Sequence, residues 1–466
     1  MTDSLAALTP LLACPACGSA TAPLSTRAVG LACRDCGARF PVHDNGAARV
    51  PWLFADASAT LTEWQARLNG FLNDNAAEQT RLQVALEDQF VGKTGRKRIR
   101  RLLQARREQR DQVTEILAPL RLDNDGTAQH AATSLDHKLP KSLGLTNYYA
   151  NVFRDWAWQN GENEQLAAAI ADALARSGTE RLGKTLTLGA GACRLAYDLH
   201  RAYSPDLSVA LDLNPLFLFL ASRVMRGEVV PLWEFPVAPL NDAAFTALQE
   251  CRAPEPLGGA HDDFLFVCAD GMNPPFSAGS FDTVVTPWLI DVIPQNLREF
   301  IPRINRLLKR GGTWLNTGSL AFFHKNESWC YSQEEVLELL TDNGFEVKSA
   351  MRSDIPYLQS PLSAHKRMES VFSFSVTKRR DAELPRRYEY LPDWMLDTTR
   401  PIPELTEFVI ESSKHLLQTQ TLAAIDGERT IDEIGRLVAK QYDLQVDDAT
   451  HAVKRILVDV YERAVV

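Results

Sequence analysis

The 466-residue chain has no apolar run of transmembrane length, and its N-terminus lacks the basic, apolar and small-residue succession of a secretory signal. Both absences predict a soluble, cytoplasmic protein. Positive charge is scarce: 50 Lys and Arg stand against 59 Asp and Glu, a net charge of −9, which argues against a wholesale coat of nucleic acid. A glycine is missing too. The stretch Gly189-Ala190-Gly191-Ala192-Cys193-Arg194 holds only two of the three glycines of a G-x-G-x-x-G dinucleotide fingerprint. What is present suffices for a sizeable core, since 45% of residues are hydrophobic. The length predicts roughly two to four domains.

Eight cysteines include two C-x-x-C pairs, Cys14/Cys17 in ACPACGS and Cys33/Cys36 in ACRDCGA. Their spacing fits a four-thiolate zinc site, closed and therefore structural, with no open position for chemistry. Residues 1–55 are read as a zinc ribbon. Residues 56–146 are read as a helical region followed by a polar linker, with Trp64, Leu68 and Phe71 and later Ile99, Leu102 and Leu103 at helical spacing. The basic run within it, residues 93–110, is either a contact for phosphates or an acidic partner, or a solvated helix face.

Residues 147–380 form the largest unit. Gly178–Thr185, GTERLGKT, satisfies the P-loop pattern letter for letter. A P-loop needs a strand before and a helix after, and here the order is reversed. The next stretch, TLTLGAGACRLAYDLH, predicts a buried strand, a bare glycine turn and a helix start. Asp212 ends the following strand, where a carboxylate can accept from a ribose diol. Phe264–Asp270 is another strand ending in an acid, SFDTVVTPWLID a further one, and LKRGG a turn before the strand TWLNTGSL. This succession predicts a doubly wound α/β sheet with ligand at the strand carboxyl ends.

The succession is that of a class I S-adenosylmethionine methyltransferase. The particular pieces FRDW, LGAGACRLAYDL, VPLWEFP, CADG, VVTPWLIDVIPQN, LKRGGTWLNTGSLAFFHKN and YSQEEVLELLTDNGFEV resemble the carnosine N-methyltransferase family over roughly residues 147–378. The ribbon resembles the small zinc-ribbon partner of tRNA and protein methyltransferases. The resemblance implies methyl transfer to an imidazole nitrogen of a histidine-containing compound or peptide. It also implies roles. Gly189 and Gly191 admit the methionine part of S-adenosylmethionine, Asp212 binds its ribose, and Asp270 with Gly271 its adenine. Arg154 pairs with its carboxylate. Asp291 holds the acceptor imidazole in the reactive tautomer, and His324 is a substrate contact or a core histidine. Two departures concern the acceptor. The family's histidine after WLNTGSL falls on Phe323, one place before His324, and the family's tyrosine-rich segment is replaced by SAHKRMESVFSFSV. Tyr357 is the nearest tyrosine there, and His365 and Lys366 are candidate replacements.

Residues 381–404 are read as a proline-bearing linker, and 405–466 as a small helical or winged-helix domain. Thr430 with Glu433 is a capping box opening a helix at Ile431. The pattern IDGERTIDEI, then a helix, YDL and a helix, resembles PqqD-like peptide chaperones, which implies recruitment of a leader peptide by strand addition. A plain helical cap would need the same capping residues. Nucleic acid is an unexpected partner, since no base-reading helix is seen. Two further readings stay open. The first is RNA or protein methylation with the ribbon and basic helix holding the polymer, and the second a non-catalytic peptide-binding module.

Overall fold

The structure is a computed structural model that describes residues 4–19, 24–27, 30–120, 144–257, 263–324, 326–384, 394 and 399–465. Most of the stretch expected as a linker before Asn147, residues 121–143, and much of 381–404 lie outside the described residues. The chain divides into two units: 1–82 with 86–390, and 83–85 with 391–466.

In the first unit, Ser25–Arg27 (β1), Gly30–Ala32 (β2) and Arg39–Phe40 (β3) form a small antiparallel sheet. The remaining strands of the ribbon, Val42–Asp44 (β4) and Arg49–Leu53 (β5), join the central sheet instead. The central sheet continues with Lys184–Leu188 (β6), Leu207–Asp212 (β7), Phe264–Ala269 (β10), Phe281–Pro287 (β11), Leu308–Gly318 (β12), Phe345–Tyr357 (β13) and Arg367–Lys378 (β14). Val230–Glu234 (β8) and Ala247–Cys251 (β9) form a separate hairpin. The order across the large sheet is β13-β14-β12-β11-β6-β7-β10-β5-β4. From β6 the chain winds outward through β7 and β10, then crosses back to β11 and β12. All five are parallel, and β14 is antiparallel to β12. Every residue of β7 and β10 is buried, as expected for parallel strands covered on both faces. The reversal between β6 and β11 opens a crevice at their carboxyl ends, where such sheets bind ligand.

The ribbon is therefore no separate lobe. β5 pairs in parallel with β10, Trp52 opposite Cys268 and Leu53 opposite Ala269. Next to Cys14, Ala13 N donates to Pro275 O at 3.0 Å and Ser277 N to Leu11 O at 2.8 Å. Trp52 is fully buried at this seam, and burial of a side chain that large contributes on the order of 3 kcal/mol.

Two expectations change in detail. LKRGG is not a turn: β12 begins at Leu308, and its pairing with β11 jumps register between Phe281 and Thr283, so these residues bulge within the strand. The basic run lies on the helix Lys93–Leu117, whose inner side is engaged. The Arg98 guanidinium sits 4.4 Å from the Phe245 ring centroid and that of Arg106 3.7 Å from Phe235. Trp233 Nε1 donates to Glu108 at 2.8 Å. Lys93, Lys97 and Arg100 remain exposed. The P-loop look-alike sits, as expected, between a helix (Glu162–Ser177) and a following strand, inside out for phosphate.

The second unit contains helices Thr406–Ala423, Ile431–Tyr442 and Val446–Val465, packed through Ile434, Val438, Ala449 and Val453. The capping box forms: Thr430 N donates to Glu433 at 2.8 Å and Glu433 N to Thr430 Oγ1 at 3.3 Å. Among the described residues this unit has no strand, so the sheet edge that strand addition requires is not found there. No helix among the described residues is long and apolar enough to cross a membrane.

Candidate active site

The crevice at the reversal is a cavity of ≈ 230 Å³. Its floor is the turn after β6. Both glycines of that turn have positive φ, +64° at Gly189 and +55° at Gly191, but they are glycine for different reasons. A Cβ on Gly189 would lie 2.8 Å from Leu289 Cδ1, so this glycine lets the β11 loop pack against the turn. A Cβ on Gly191 meets nothing within 4 Å and would occupy the cavity itself. That is the cradle expected for a ligand lying on bare backbone.

Asp212, at the end of β7, is buried and lines the same cavity. Its carboxylate accepts from Gly191 N at 2.7 Å and Asn214 N at 2.8 Å. Burial pushes its pKa up to about 6 against the lowering effect of those amides. Asp270, following β10, accepts from Met272 N at 2.8 Å and faces the cavity with Gly271. Arg154, on the helix Ala150–Trp156, is buried and lines the same cavity. Its Nε donates to Asp155 at 2.7 Å, while its Nη1 has no hydrogen-bond partner among the described residues.

Asp291 lies in the loop after β11. Its carboxylate accepts from Ser319 Oγ at 2.6 Å and Ala321 N at 3.1 Å. Burial raises its pKa above the usual carboxylate range, opposed by these two donors. Three residues before it, Trp288 takes φ +49°, a conformation uncommon for a bulky side chain. Its indole lies 4.6 Å from the Tyr357 ring, and both line the cavity.

Arg154, Gly189, Gly191, Asp212, Asp270, Gly271 and Asp291 are thus brought to one cavity. His324 is not: it does not line the cavity, and its ring packs 6.4 Å from Phe322 and 5.5 Å from Trp329. His365 and Lys366 also lie outside the lining; Lys366 Nζ donates to Ser360 O at 2.9 Å. Tyr357 reaches the cavity instead, from the end of β13. Sequence reasoning missed Asp155, Asp198 and Trp288. The i,i+4 spacing of Arg194 and Asp198 was the available signal: these pair at 2.9 Å in the helix after the glycine turn.

At the ribbon, the sulfurs of Cys14 and Cys36 are 3.7 Å apart and those of Cys17 and Cys33 3.8 Å, with all four within 4.8 Å. Four sulfurs at the usual zinc distance from a tetrahedral centre would be about 3.8 Å apart, so the donor set fits that ion.

Residues 239–380, which run from the β8–β9 hairpin through β14, match the family model described as carnosine N-methyltransferase. The resemblance read from the motifs is borne out over that segment. Over 86 residues the chain is 35% identical to the carnosine N-methyltransferase of Dictyostelium discoideum. The match covers 18% of this chain and spans only 18% of that relative's length. Solved structures similar to it include Haemonchus contortus phosphoethanolamine N-methyltransferase 2 in complex with S-adenosyl-L-methionine, at 15% identity and TM-score 0.32, covering 51% of this chain and 58% of that one. Another is the complex between the Haloferax volcanii Trm112 methyltransferase activator and a methyltransferase, at 17% identity and TM-score 0.33, covering 50% and 97%.

Proposed function

We propose that the chain is an S-adenosylmethionine-dependent N-methyltransferase acting on an imidazole nitrogen of a histidine-containing compound, with a structural zinc in the ribbon. The observation that carries this reading is the cavity at the sheet reversal, which joins the Gly191 cradle, the Asp212 and Asp270 carboxylates and the Arg154 guanidinium to Asp291. The matched family segment supports the acceptor.

S-adenosylmethionine supplies an electrophilic methyl group when bound. The rest falls to this chain's own residues. The backbone at Gly191 leaves room for the methionine part, and Arg154 pairs its carboxylate through the guanidinium fork. Asp212 accepts hydrogen bonds from the ribose hydroxyls, and Asp270 with the Gly271 backbone meets the adenine edge. Asp291 accepts the N–H of one imidazole nitrogen, which leaves the other nitrogen with a free lone pair facing the methyl. The same carboxylate can take up the proton that the methylated ring releases. Its raised affinity for protons suits that task. No stronger base is needed, because alignment of nucleophile and methyl supplies much of the rate. Cys14, Cys17, Cys33 and Cys36 would hold the zinc and play no part in the chemistry.

Calorimetric titration of the zinc-loaded protein with S-adenosylmethionine tests the first half of the reading; a folded protein that gives no binding heat at several temperatures, and no signal in equilibrium dialysis, overturns it. The second half is tested by mass spectrometry on a panel of histidine compounds and peptides. A gain of about 14 Da on the imidazole is expected, since the cofactor carries the chemistry and the protein selects the acceptor.

A further inference from the structure

We infer that Glu162 is a positioning residue for the methyl acceptor: it lies outside the cavity and holds the turn that follows Tyr357 against the wall that carries Arg154. This rests on the methyltransferase reading above and concerns the acceptor end of the same site.

An acid in the first turn of a helix ordinarily serves that helix, by facing its free N–H groups. Glu162 opens the helix Glu162–Ser177 but directs its carboxylate elsewhere. Its Oε1 accepts from Leu358 N at 2.9 Å and its Oε2 from Gln359 N at 3.3 Å. Two successive amides converging on one carboxylate make a backbone anion site, here filled by the chain's own side chain. The Leu358 N–H belongs to the planar peptide group that follows Tyr357, so this bond fixes the Tyr357 backbone itself. Leu358 takes φ +50°, a left-handed conformation that costs a non-glycine residue about 1–2 kcal/mol and persists where its surroundings hold it. Asn160 holds the same turn from its carbonyl side, donating from Nδ2 to Gln359 O at 3.0 Å.

The same carboxylate meets the cofactor end. Its Oε1 lies 4.0 Å from Arg154 Nε, and the next residue, Asn163, donates from Nδ2 to Arg154 O at 2.7 Å. Glu162 is only 2% exposed, and burial pushes its pKa up while the Leu358 amide, Arg154 and the Gln359 amide pull it down. Loss of either amide would leave a buried charge short of a partner, so the geometry is tightly held. Glu162 does not line the cavity, yet it ties together two residues that do, Arg154 and, through the following peptide group, Tyr357. The Tyr357 ring lies 4.6 Å from that of Trp288, three residues before Asp291. Burial raises the pKa of its phenol, and Arg154 and Asp291 are among the charges acting on it, so the ring stands within electrostatic reach of both ends of the site. Release of the 358–359 turn would free that ring without breaking the pairing of Arg154 with Asp155 at 2.7 Å.

The test uses the full-length zinc-loaded protein with S-adenosylmethionine and carnosine. Glu162→Gln keeps an oxygen for one amide but loses the charge that strengthens both bonds. The KM for carnosine should rise about tenfold, as expected when amides exchange a charged acceptor for a neutral one. The kcat and the S-adenosylmethionine Kd should stay unchanged. A merely destabilised protein would instead have fewer active molecules, hence a lower kcat at the same KM. In a Tyr357→Leu background, Glu162→Gln should move KM no further. Hydrogen exchange at Leu358 and Gln359 should quicken about tenfold or more while β6 and β11 keep their protection. Should Glu162→Gln fail to fold, Glu162→Asp, which keeps the charge and shortens its reach, should give the same rise in KM. An unchanged KM, a loss in kcat alone, or an equal rise in KM with and without Tyr357 overturns the inference and leaves the methyltransferase reading standing. Binding of S-adenosylmethionine without methylation of carnosine overturns the imidazole assignment. Exchange at 358 and 359 then decides, faster rates upholding the inference and unchanged rates overturning it. No binding of S-adenosylmethionine overturns both.

Discussion

Asp212 holds the amide of Gly191 at 2.7 Å, so the carboxylate that ends one strand fixes the turn that ends its neighbour. In the proposed function the same carboxyl group meets the cofactor ribose. On that proposal its ionisation would govern both the shape of the cradle and its affinity. With a pKa of about 6, raised by burial, Asp212 is ionised at neutral pH and takes up a proton as the pH falls through 6. Cofactor affinity should decline below that point, and binding there should release a proton. Calorimetry in buffers of different ionisation enthalpy measures that proton directly. Asp212→Asn should bind weakly at every pH and show no release. The sign for folding is opposite: a raised carboxyl pKa favours the folded state at low pH, and that contribution is lost as the pH rises from about 4 through 6.

The two glycines of the turn should separate stability from binding. Gly189→Ala brings a methyl group to 2.8 Å from the tip of the Leu289 side chain, which must shift aside, and should cost about 1–2 kcal/mol from the positive φ and that displacement. Gly191→Ala has open space around its methyl group and should cost only about 1 kcal/mol for the positive φ. It should nevertheless lose most of its S-adenosylmethionine affinity. Thermal melts with and without cofactor distinguish the two.

Asp291→Asn keeps an acceptor oxygen for Ser319 and Ala321 but can no longer take the imidazole proton. Turnover should fall by roughly a hundredfold or more, the usual worth of a positioned acid–base group. The S-adenosylmethionine Kd should be unaffected. Single-turnover kinetics with saturating cofactor is the suitable measurement.

Removal of the ribbon metal should be felt at the adenine end of the site. Ala13 and Leu11, just before Cys14, are hydrogen-bonded to Pro275 and Ser277, which follow Asp270 in the chain. Chelation, or Cys14→Ser with Cys17→Ser, should expose this seam to hydrogen exchange and weaken cofactor binding. The helices 162–177 and 297–307 should keep their protection. Readdition of zinc to the chelated wild type should restore both properties.

Much of this site was legible because parallel strands buried on both faces leave an unmistakable trace: short apolar runs such as FLFVCAD that stop at an acid. The glycine turn, the four cysteines and the Thr430–Glu433 box are likewise local patterns whose chemistry is set by spacing. What escaped the sequence depends on contacts between distant segments. Nothing in RVPWL tells that it pairs with FLFVCA, because a parallel register is decided by tertiary packing. His324 looked like a site residue by its position after WLNTGSL, yet its loop turns the imidazole onto Phe322 and Trp329. Tyr357 arrives from the end of a long strand far along the chain. The basic helix was ambiguous because a guanidinium stacks on Phe235 as readily as it waits for a phosphate.

The parallel seam between Trp52 and Cys268 also bears on how the molecule is made. A ribosome delivers β5 long before β10, and a strand that can only be completed by a later one has no finished sheet to join while synthesis is under way. Pairings of such sequence separation form slowly and late. The four cysteines, by contrast, lie close in sequence, and an ion held by Cys14, Cys17, Cys33 and Cys36 would let the ribbon close early, as an edge ready for the rest of the sheet to fold against.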